Sequence, residues 1–494
     1  MVMTIVRLTF NGQKRVMGQK TDYDLCIVGG GAAGLVTAAG AAALGAKVLL
    51  IEKHRLGGDC LYTGCIPSKT LIHSATVANT IKIAQQFGLS VILDPIEQRC
   101  VMQRVAEVIK MIEPNDSPER FQDMGIEVVF AQAHFIAEDR LLIEGREITA
   151  RKFVLATGSR PFVPLISGLG SVDYFTNESI FNVTENIDSL IVIGSGAIGC
   201  EMAQSFARLG SEVSLLSNTG LLPVEDVDMS AVVEQQFLAD GIDLHLGVLV
   251  REIEKTTTGI RVKIQSDVQN NSKWIEGSHL LIATGRQSNI EHLGLDKAGV
   301  DIERGRLVVD ARLRTTNKNI FACGDVVGPY MFTHMAEHQA GVVLRNALFH
   351  WPAKSQTTSI PWCTFTAPEL ARVGLSEREA QQSGMKYQVY TLPFTENDRA
   401  IAEGDTDGMA KIITTPKGKL LGACIVGPSA GELIAEYVLA ISQGLNVSDL
   451  SNTIHIYPTL AQINRRVADQ RMKEAITPSR KRWIKRLFGL RGEK

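Results

Sequence analysis

Tyr23-Asp-Leu-Cys-Ile-Val28-Gly29-Gly-Gly31-Ala-Ala-Gly34 decides how this chain folds. A short apolar run ends in a Gly-x-Gly-x-x-Gly turn. Small residues follow at helical spacing, and Lys47-Val-Leu-Leu-Ile-Glu52 is a second apolar run closed by an acid. Strand, glycine turn, helix and strand make a dinucleotide-binding unit. Gly29 permits the tight turn, Gly31 lets a pyrophosphate approach the backbone, Gly34 lets helix and strand pack closely, and Glu52 can accept from ribose hydroxyls. A glycine-rich turn alone is weak evidence; the acid that ends the second strand makes the pattern specific.

Working outward, the unit recurs at Ser189-Leu-Ile-Val-Ile-Gly194-Ser-Gly196-Ala-Ile-Gly199, followed by a helix and the strand 212–216. Two units imply two nucleotides. Each is followed at a distance by an apolar strand ending in Ala-Thr-Gly, at Phe153–Gly158 and Leu280–Gly285, read as crossings between domains. Asn319-Ile-Phe-Ala-Cys-Gly324-Asp325 sets a carboxylate just after a glycine, where a flavin's ribityl chain could lie. From about residue 356 the glycine fingerprints stop, and alternating strands and amphipathic helices suggest a separate C-terminal domain.

Just after the first unit comes Gly57-Gly-Asp-Cys60-Leu-Tyr-Thr-Gly-Cys65-Ile-Pro-Ser-Lys69. Bridging two cysteines needs Cα atoms roughly 4.4–6.8 Å apart, which a straight helix does not give at this offset, so Gly64 is expected to distort the turn. Pro67 is expected to open a regular helix. Flanking glycines, Pro67 and Lys69 make an electropositive helix start that stabilises thiolate, whereas a lone Cys-x4-Cys would more often be two structural thiols.

The 494 residues suggest about three domains, and 45% apolar with 21% charged residues is ordinary globular composition. The formal net charge is −2, but residues 480–494 carry seven Lys/Arg against one Glu, an excess of six that leaves the remainder at −8. Eight scattered cysteines without a second close pair argue against a secreted disulfide framework and for a reducing cytosol. The first 21 residues contain no apolar run of signal-peptide length, and no stretch approaches the ~20 apolar residues of a membrane span. A soluble, cytoplasmic protein is expected.

These features together resemble the flavin-dependent pyridine nucleotide-disulfide oxidoreductases of class I, over residues 22 to about 470. Phe365-Thr-Ala-Pro-Glu369 through Val373-Gly-Leu-Ser-Glu377 is similar to their dimerisation domain. The resemblance implies an α/β fold with two Rossmann-type domains, for FAD and NAD(P), and a C-terminal α+β dimerisation domain. The expected layout is an N-terminal extension at 1–21, FAD-binding segments at 22–165 and 288–355, an NAD(P)-binding domain at 166–287, the dimerisation domain at 356–476 and a basic tail at 477–494. It implies an electron relay from NAD(P)H through FAD to a redox-active Cys60–Cys65 disulfide, with the flavin carrying the hard chemistry. Cys65 would face the flavin, and Cys60 would meet the acceptor. Lys69 and Glu201 would pair near the flavin, orienting nicotinamide and stabilising negative charge. Gly158, Gly285, Asp325, Met331 and His334 fall among the cofactor-binding positions. A homodimer with a shared active site is implied.

Departures from the family pattern point to the acceptor. Disulfide-reducing members supply an acid/base histidine from a His-Pro-Thr segment and hold it with a glutamate five residues later. Here the segment is Tyr457-Pro458-Thr459, with Gln462 in the glutamate's place. A tyrosine is a poor proton shuttle at neutral pH. His455 lies two residues earlier and on the opposite side if the stretch is extended. Two thiolates at Cys60 and Cys65 suffice, however, to hold a soft metal ion transiently, and Hg(II) prefers sulfur. The resemblance is therefore nearest to mercuric reductases, to which Arg399-Ala-Ile401-Ala and Gly408-Met-Ala-Lys411 are also similar, although their C-terminal cysteine pair and metal-binding N-terminal domain are missing. A dihydrolipoyl dehydrogenase-like or other small disulfide reductase, a quinone reductase and a flavin-bound redox sensor are the alternatives.

The second fingerprint's second strand ends in Ser217-Asn218, without the acid of NAD-preferring relatives or an arginine for a 2′-phosphate. Gly199 leans toward NAD and the lost acid toward NADP. Ala197 stands where glutathione reductase has a gating tyrosine, which implies an open nicotinamide pocket. In the tail, Lys481, Arg482, Lys485 and Arg486 interleave with Trp483, Ile484, Leu487 and Phe488, a pattern suited to an anionic membrane surface. Nucleic acid is not an expected partner, because the body is acidic.

Overall fold

The computed structural model describes residues 21–492 apart from 93, 267–270, 350 and 475; the expected N-terminal extension lies outside the described residues except for Thr21. Strand β1 (Tyr23–Val28), helix α1 (Ala32–Ala43) and strand β2 (Val48–Glu52) form the first unit. After α2 (Gly58–Tyr62) and α3 (Cys65–Lys82) come β3 (Glu127–Phe130), β4 (Ala133–Ala137), β5 (Arg140–Ile143) and β6 (Arg146–Leu155). The sheet runs β3-β2-β1-β6-β5-β4, with β1 parallel to both β2 and β6. Leu25, Ile27, Leu50 and Val154 are completely buried, which explains why these strands read as unbroken apolar runs rather than alternating ones.

Two glycines show why this turn demands its residues. A Cβ on Gly34 would stand 1.8 Å from the carbonyl oxygen of Gly29, and one on Gly199 would stand 1.9 Å from that of Gly194. No side chain fits where helix and strand approach so closely. The repeat is thus a structural repeat: β7 (Ser189–Ile193), α4 (Ala197–Arg208) and β8 (Glu212–Leu216) join β9 (Asp243–His245) and β10 (His279–Ile282) in the order β9-β8-β7-β10. A three-stranded antiparallel sheet within residues 248–277 flanks it.

The chain returns to the first sheet through β11 (Ile320–Ala322), parallel to β6, and then α5 (Thr333–Phe349). The C-terminal part is a five-stranded antiparallel sheet. Its strands β12 (Pro361–Thr364), β13 (Glu369–Gly374), β14 (Gln388–Pro393), β15 (Met409–Thr414) and β16 (Leu420–Gly427) run in the order β12-β13-β16-β15-β14. Helices α6 (Ala435–Ser442) and α7 (Gln462–Glu474) cover it, burying Tyr437, Ile463 and Val467. The chain goes on into α8 (Pro478–Phe488). Among the described residues no helix is long and apolar enough to cross a membrane.

One expectation is corrected. Pro67 does not open its helix: α3 already starts at Cys65, with Gly64 at its N-cap. Pro67 lies in the first turn, where its missing N–H would have had no intrahelical partner.

Candidate active site

The two units and the C-terminal domain face an open cavity of about 2210 Å³. Gly31 and Gly196 are the N-caps of α1 and α4, and neither helix start has a capping side chain. A Cβ at Gly196 would find nothing within 4 Å, and one at Gly31 only the Cα of Gly58 at 3.9 Å. Free first-turn N–H groups, an open approach and the positive end of a helix dipole suit a pyrophosphate, so the residues present fit two dinucleotides. Glu52 lines the cavity, braced because its carboxylate accepts from the Gly30 N–H at 2.7 Å and the His54 N–H at 2.9 Å. Gly29, Gly158, Gly194, Gly285, Asp325, Met331 and His334 line the same cavity. The His334 Nε2 is 2.8 Å from the Pro361 carbonyl.

Cys60 on α2 and Cys65 on α3 are brought together by a break between two helices at Thr63 and Gly64. A Cβ on Gly64 would stand 2.9 Å from the Asp59 carbonyl oxygen, so this residue allows the sharp junction. Both cysteines carry free thiols. Cys60 hydrogen-bonds to Cys65; with Thr333, whose Oγ1 is 3.3 Å from the Cys65 sulfur, and the nearby charge of Lys69, this outweighs burial and lowers the Cys65 thiol to about 6. The same sulfur contact, with burial, pushes the Cys60 thiol well up. Cys65 is thus the thiolate of the pair and Cys60 its donor. Thr333 begins α5, whose N-terminal dipole favours that charge.

Lys69 Nζ is 2.9 Å from Glu201 Oε2 and lies 4.4 Å from the centre of the Phe365 ring. Glu201 is 4% exposed, and its other oxygen accepts from the Phe365 N–H at 3.0 Å. The buried carboxylate is therefore paired and hydrogen-bonded, as its burial requires.

A second network, not read from the sequence, braces the loop that carries Cys60 and Cys65. Arg286, directly after Gly285, reaches Asp59 Oδ2 at 2.7 Å and Asp325 Oδ2 at 3.7 Å, and its Nε donates to Ser159 Oγ at 2.8 Å. Ser159 donates to Asp325 at 2.6 Å, and Asn177 donates to Asp59 at 3.2 Å. Burial raises the Asp325 carboxyl from its usual range, against the Ser159 hydrogen bond and Arg286. An arginine after the second Ala-Thr-Gly and an acid before Cys60 are visible in the sequence, but nothing in it pairs them.

Ser217 lines the cavity at the end of β8, but its hydroxyl is engaged by Ser195 at 2.7 Å and by the Thr219 N–H at 3.1 Å. Tyr457 is not brought to this cavity. It is 68% exposed in a loop with Ile454 and Ile456, 93% and 79% exposed. His455 faces the other way: its Nε2 is 2.9 Å from Glu436 on α6 and its Nδ1 3.0 Å from the Thr453 carbonyl. Gln462 donates to the backbone carbonyls of His455 and Ile456 at 3.0 and 3.2 Å. Among the described residues no group of three or more His, Cys, Asp or Glu could hold a metal ion.

Residues 23–340 match the pyridine nucleotide-disulphide oxidoreductase family, and residues 360–467 match its dimerisation domain. A mercuric reductase of Bacillus cereus is 34% identical over 444 residues, 89% of this chain and 70% of the relative. A dihydrolipoyl dehydrogenase of Chlamydia muridarum is 35% identical over 449 residues, 89% of this chain and 95% of the relative. The Cu(II) complex of the HOCl-induced flavoprotein disulfide reductase RclA from Escherichia coli superposes with a TM-score of 0.80 at 31% identity, covering 90% of this chain and 99% of that one. With two phosphate cradles, a thiol pair and a dimerisation domain in one chain, this protein belongs to the pyridine nucleotide-disulphide oxidoreductases, enzymes that use FAD with NAD(P)H as electron donor.

Proposed function

We propose that this enzyme passes electrons from NAD(P)H through Cys60 and Cys65 to a soft metal ion, in the manner of a mercuric reductase. The observation that carries the reading is the state of the His-Pro-Thr position. Tyr457 stands there in place of histidine, and Gln462, in place of the family's glutamate, is turned to backbone carbonyls. Reducing an organic disulfide releases a thiolate that needs a proton; reducing a metal ion does not. The mercuric reductase relatives and the Cu(II) complex of the RclA neighbour support a metal acceptor.

FAD, when bound, would take hydride from the nicotinamide and release electrons in pairs. The chain's own part is electrostatic and geometric. Lys69, paired with Glu201, would place a positive charge beside the ring and orient the nicotinamide. Thr333 and the start of α5 hold Cys65 ionised, while Cys60 carries the proton it must lose before it ligates. Two thiolates give one divalent soft ion two short sulfur bonds. The stoichiometry balances: NAD(P)H and Hg(II) yield NAD(P)+, a proton and Hg(0), two electrons moving. The site would be completed by the partner subunit, with the exposed loop at 454–457 at the contact.

An acceptor panel with the FAD-loaded enzyme, run with NADH and with NADPH, tests this. Hg(II) or Cu(II) should stimulate nicotinamide oxidation far beyond glutathione disulfide, lipoamide or a quinone. Rapid lipoamide turnover would overturn the reading in favour of a dihydrolipoyl dehydrogenase-like activity. A single reduction without turnover with any acceptor would mark a redox sensor.

A further inference from the structure

Helix α8 is built at both ends although no residue in it is buried. The Thr477 side chain accepts from the Arg480 N–H, Pro478 fills the first turn, and Gly489 closes the helix at φ +61. Such caps matter because eleven residues are marginal as an isolated helix. At 3.6 residues per turn, Trp483, Ile484, Leu487 and Phe488 share an arc of roughly 140°, and Lys481, Arg482, Lys485 and Arg486 lie on the opposite arc. A terminal helix folded onto its own domain would turn the apolar arc inward. Here Trp483, Leu487 and Phe488 are 63%, 57% and 66% exposed, and Leu490 just beyond is 55% exposed.

Two independent features, an apolar aromatic face and a positive one, thus coincide on a single capped element. The segment's excess of six positive charges contrasts with −8 on the rest of the chain, so the helix differs in electrostatic character from the body it extends. We propose that α8 is a surface anchor that lays its apolar face into an anionic lipid bilayer. Its length is about 16 Å, half the hydrocarbon thickness, so it would lie in the plane of the interface rather than span it. The indole and phenyl rings would sit at the boundary of headgroups and acyl chains, with lysine and arginine reaching lipid phosphates. Attraction over about 30 Å in 10 mM salt contracts to about 8 Å at physiological ionic strength, so the anchor is reversible.

The test uses the full-chain, FAD-loaded protein and vesicles of phosphatidylglycerol with phosphatidylcholine, against vesicles of phosphatidylcholine alone. Co-sedimentation is expected with the anionic vesicles at low salt, falling about tenfold as salt is raised to physiological strength. The charge variant Lys481→Glu/Arg482→Glu/Lys485→Glu/Arg486→Glu should lose binding. The face variant Trp483→Ser/Leu487→Ser/Phe488→Ser should weaken it about tenfold, and both should oxidise NAD(P)H in solution as the parent does. No sedimentation of the parent at low salt, equal sedimentation of parent and charge variant, or undiminished binding by the face variant would overturn the proposal. So would a fall in oligomeric mass in the face variant without any lipid binding by the parent, which would make the face a contact between chains.

Discussion

Cys65 is the thiol on which the proposed relay turns. Its thiol is held near 6, below its ordinary value, so the thiolate persists above that pH and is protonated as pH falls through about 6. The partly reduced enzyme should therefore show a long-wavelength thiolate-to-flavin absorption that titrates away near pH 6. Cys65→Ser should abolish the band and turnover together; a band that survives this change would disprove the assignment. Thr333→Val should move the titration upward by removing a hydrogen bond to the sulfur. Glu201 makes a different kind of contribution. Removing Lys69 leaves that carboxylate buried with one backbone donor, and since the lysine end is partly open to solvent, Lys69→Met should cost about 2–4 kcal/mol in urea unfolding.

At the level of elements, the decisive device is the junction of α2 and α3, and Arg286 is what holds it. The guanidinium bridges Asp59, next to Cys60, to Asp325 and Ser159 across the domain crossing. Arg286→Leu would leave the Asp59 carboxylate unneutralised beside the Cys60 thiol, the proposed contact with the acceptor, making Cys60 harder to ionise. Reoxidation of the reduced enzyme by its acceptor should slow about tenfold, the equivalent of one pKa unit, while reduction by NAD(P)H changes less. Stopped-flow measurement of the two half-reactions separates these effects, and Arg286→Lys should recover part of the loss. Equal slowing of both half-reactions would point to a general collapse of the cavity instead.

The whole molecule depends on contacts between its parts. Lys411 of β15, 2% exposed, meets Asp226 at 3.2 Å, Asp228 at 3.0 Å and Glu377 at 2.6 Å, tying the second nucleotide-binding unit to the C-terminal sheet. Burial opposes ionisation of Asp226, but the Glu377 and Arg378 amides and Lys411 outweigh it and hold the carboxyl below its usual range. A carboxyl depressed on folding stabilises above its unfolded pKa and stops doing so as pH falls through the folded value. The interface should therefore loosen on the acid side of pH 3.8. Lys411→Met should destabilise by about 2–4 kcal/mol, measured by thermal unfolding, since two of its three partners are partly exposed. The dimerisation domain carries exposed Ile454 and Ile456 beside Tyr457. Light scattering should give a dimer, and Ile454→Glu/Ile456→Glu should give monomers that still bind FAD but lose acceptor turnover.

The repeated glycine units and the thiol pair were legible in the chain because each is a local pattern whose chemistry admits few residues: only glycine fits at 34 and 199, and only cysteine supplies a thiol; the pairing of Lys69 with Glu201, 132 positions apart, was expected from the family resemblance alone. The same locality let the tail be read as amphipathic. What remained hidden depends on residues far apart in the chain. Arg286 and Asp59 meet only because the second crossing returns beside the redox loop, and Thr333 reaches Cys65 only because α5 starts there. Tyr457 does not line its own protomer's cavity and is 68% exposed, in the loop just before α7. Period and spacing record which face of an element is buried; which charged groups then neutralise each other is decided by packing between elements, where no local pattern exists to be read.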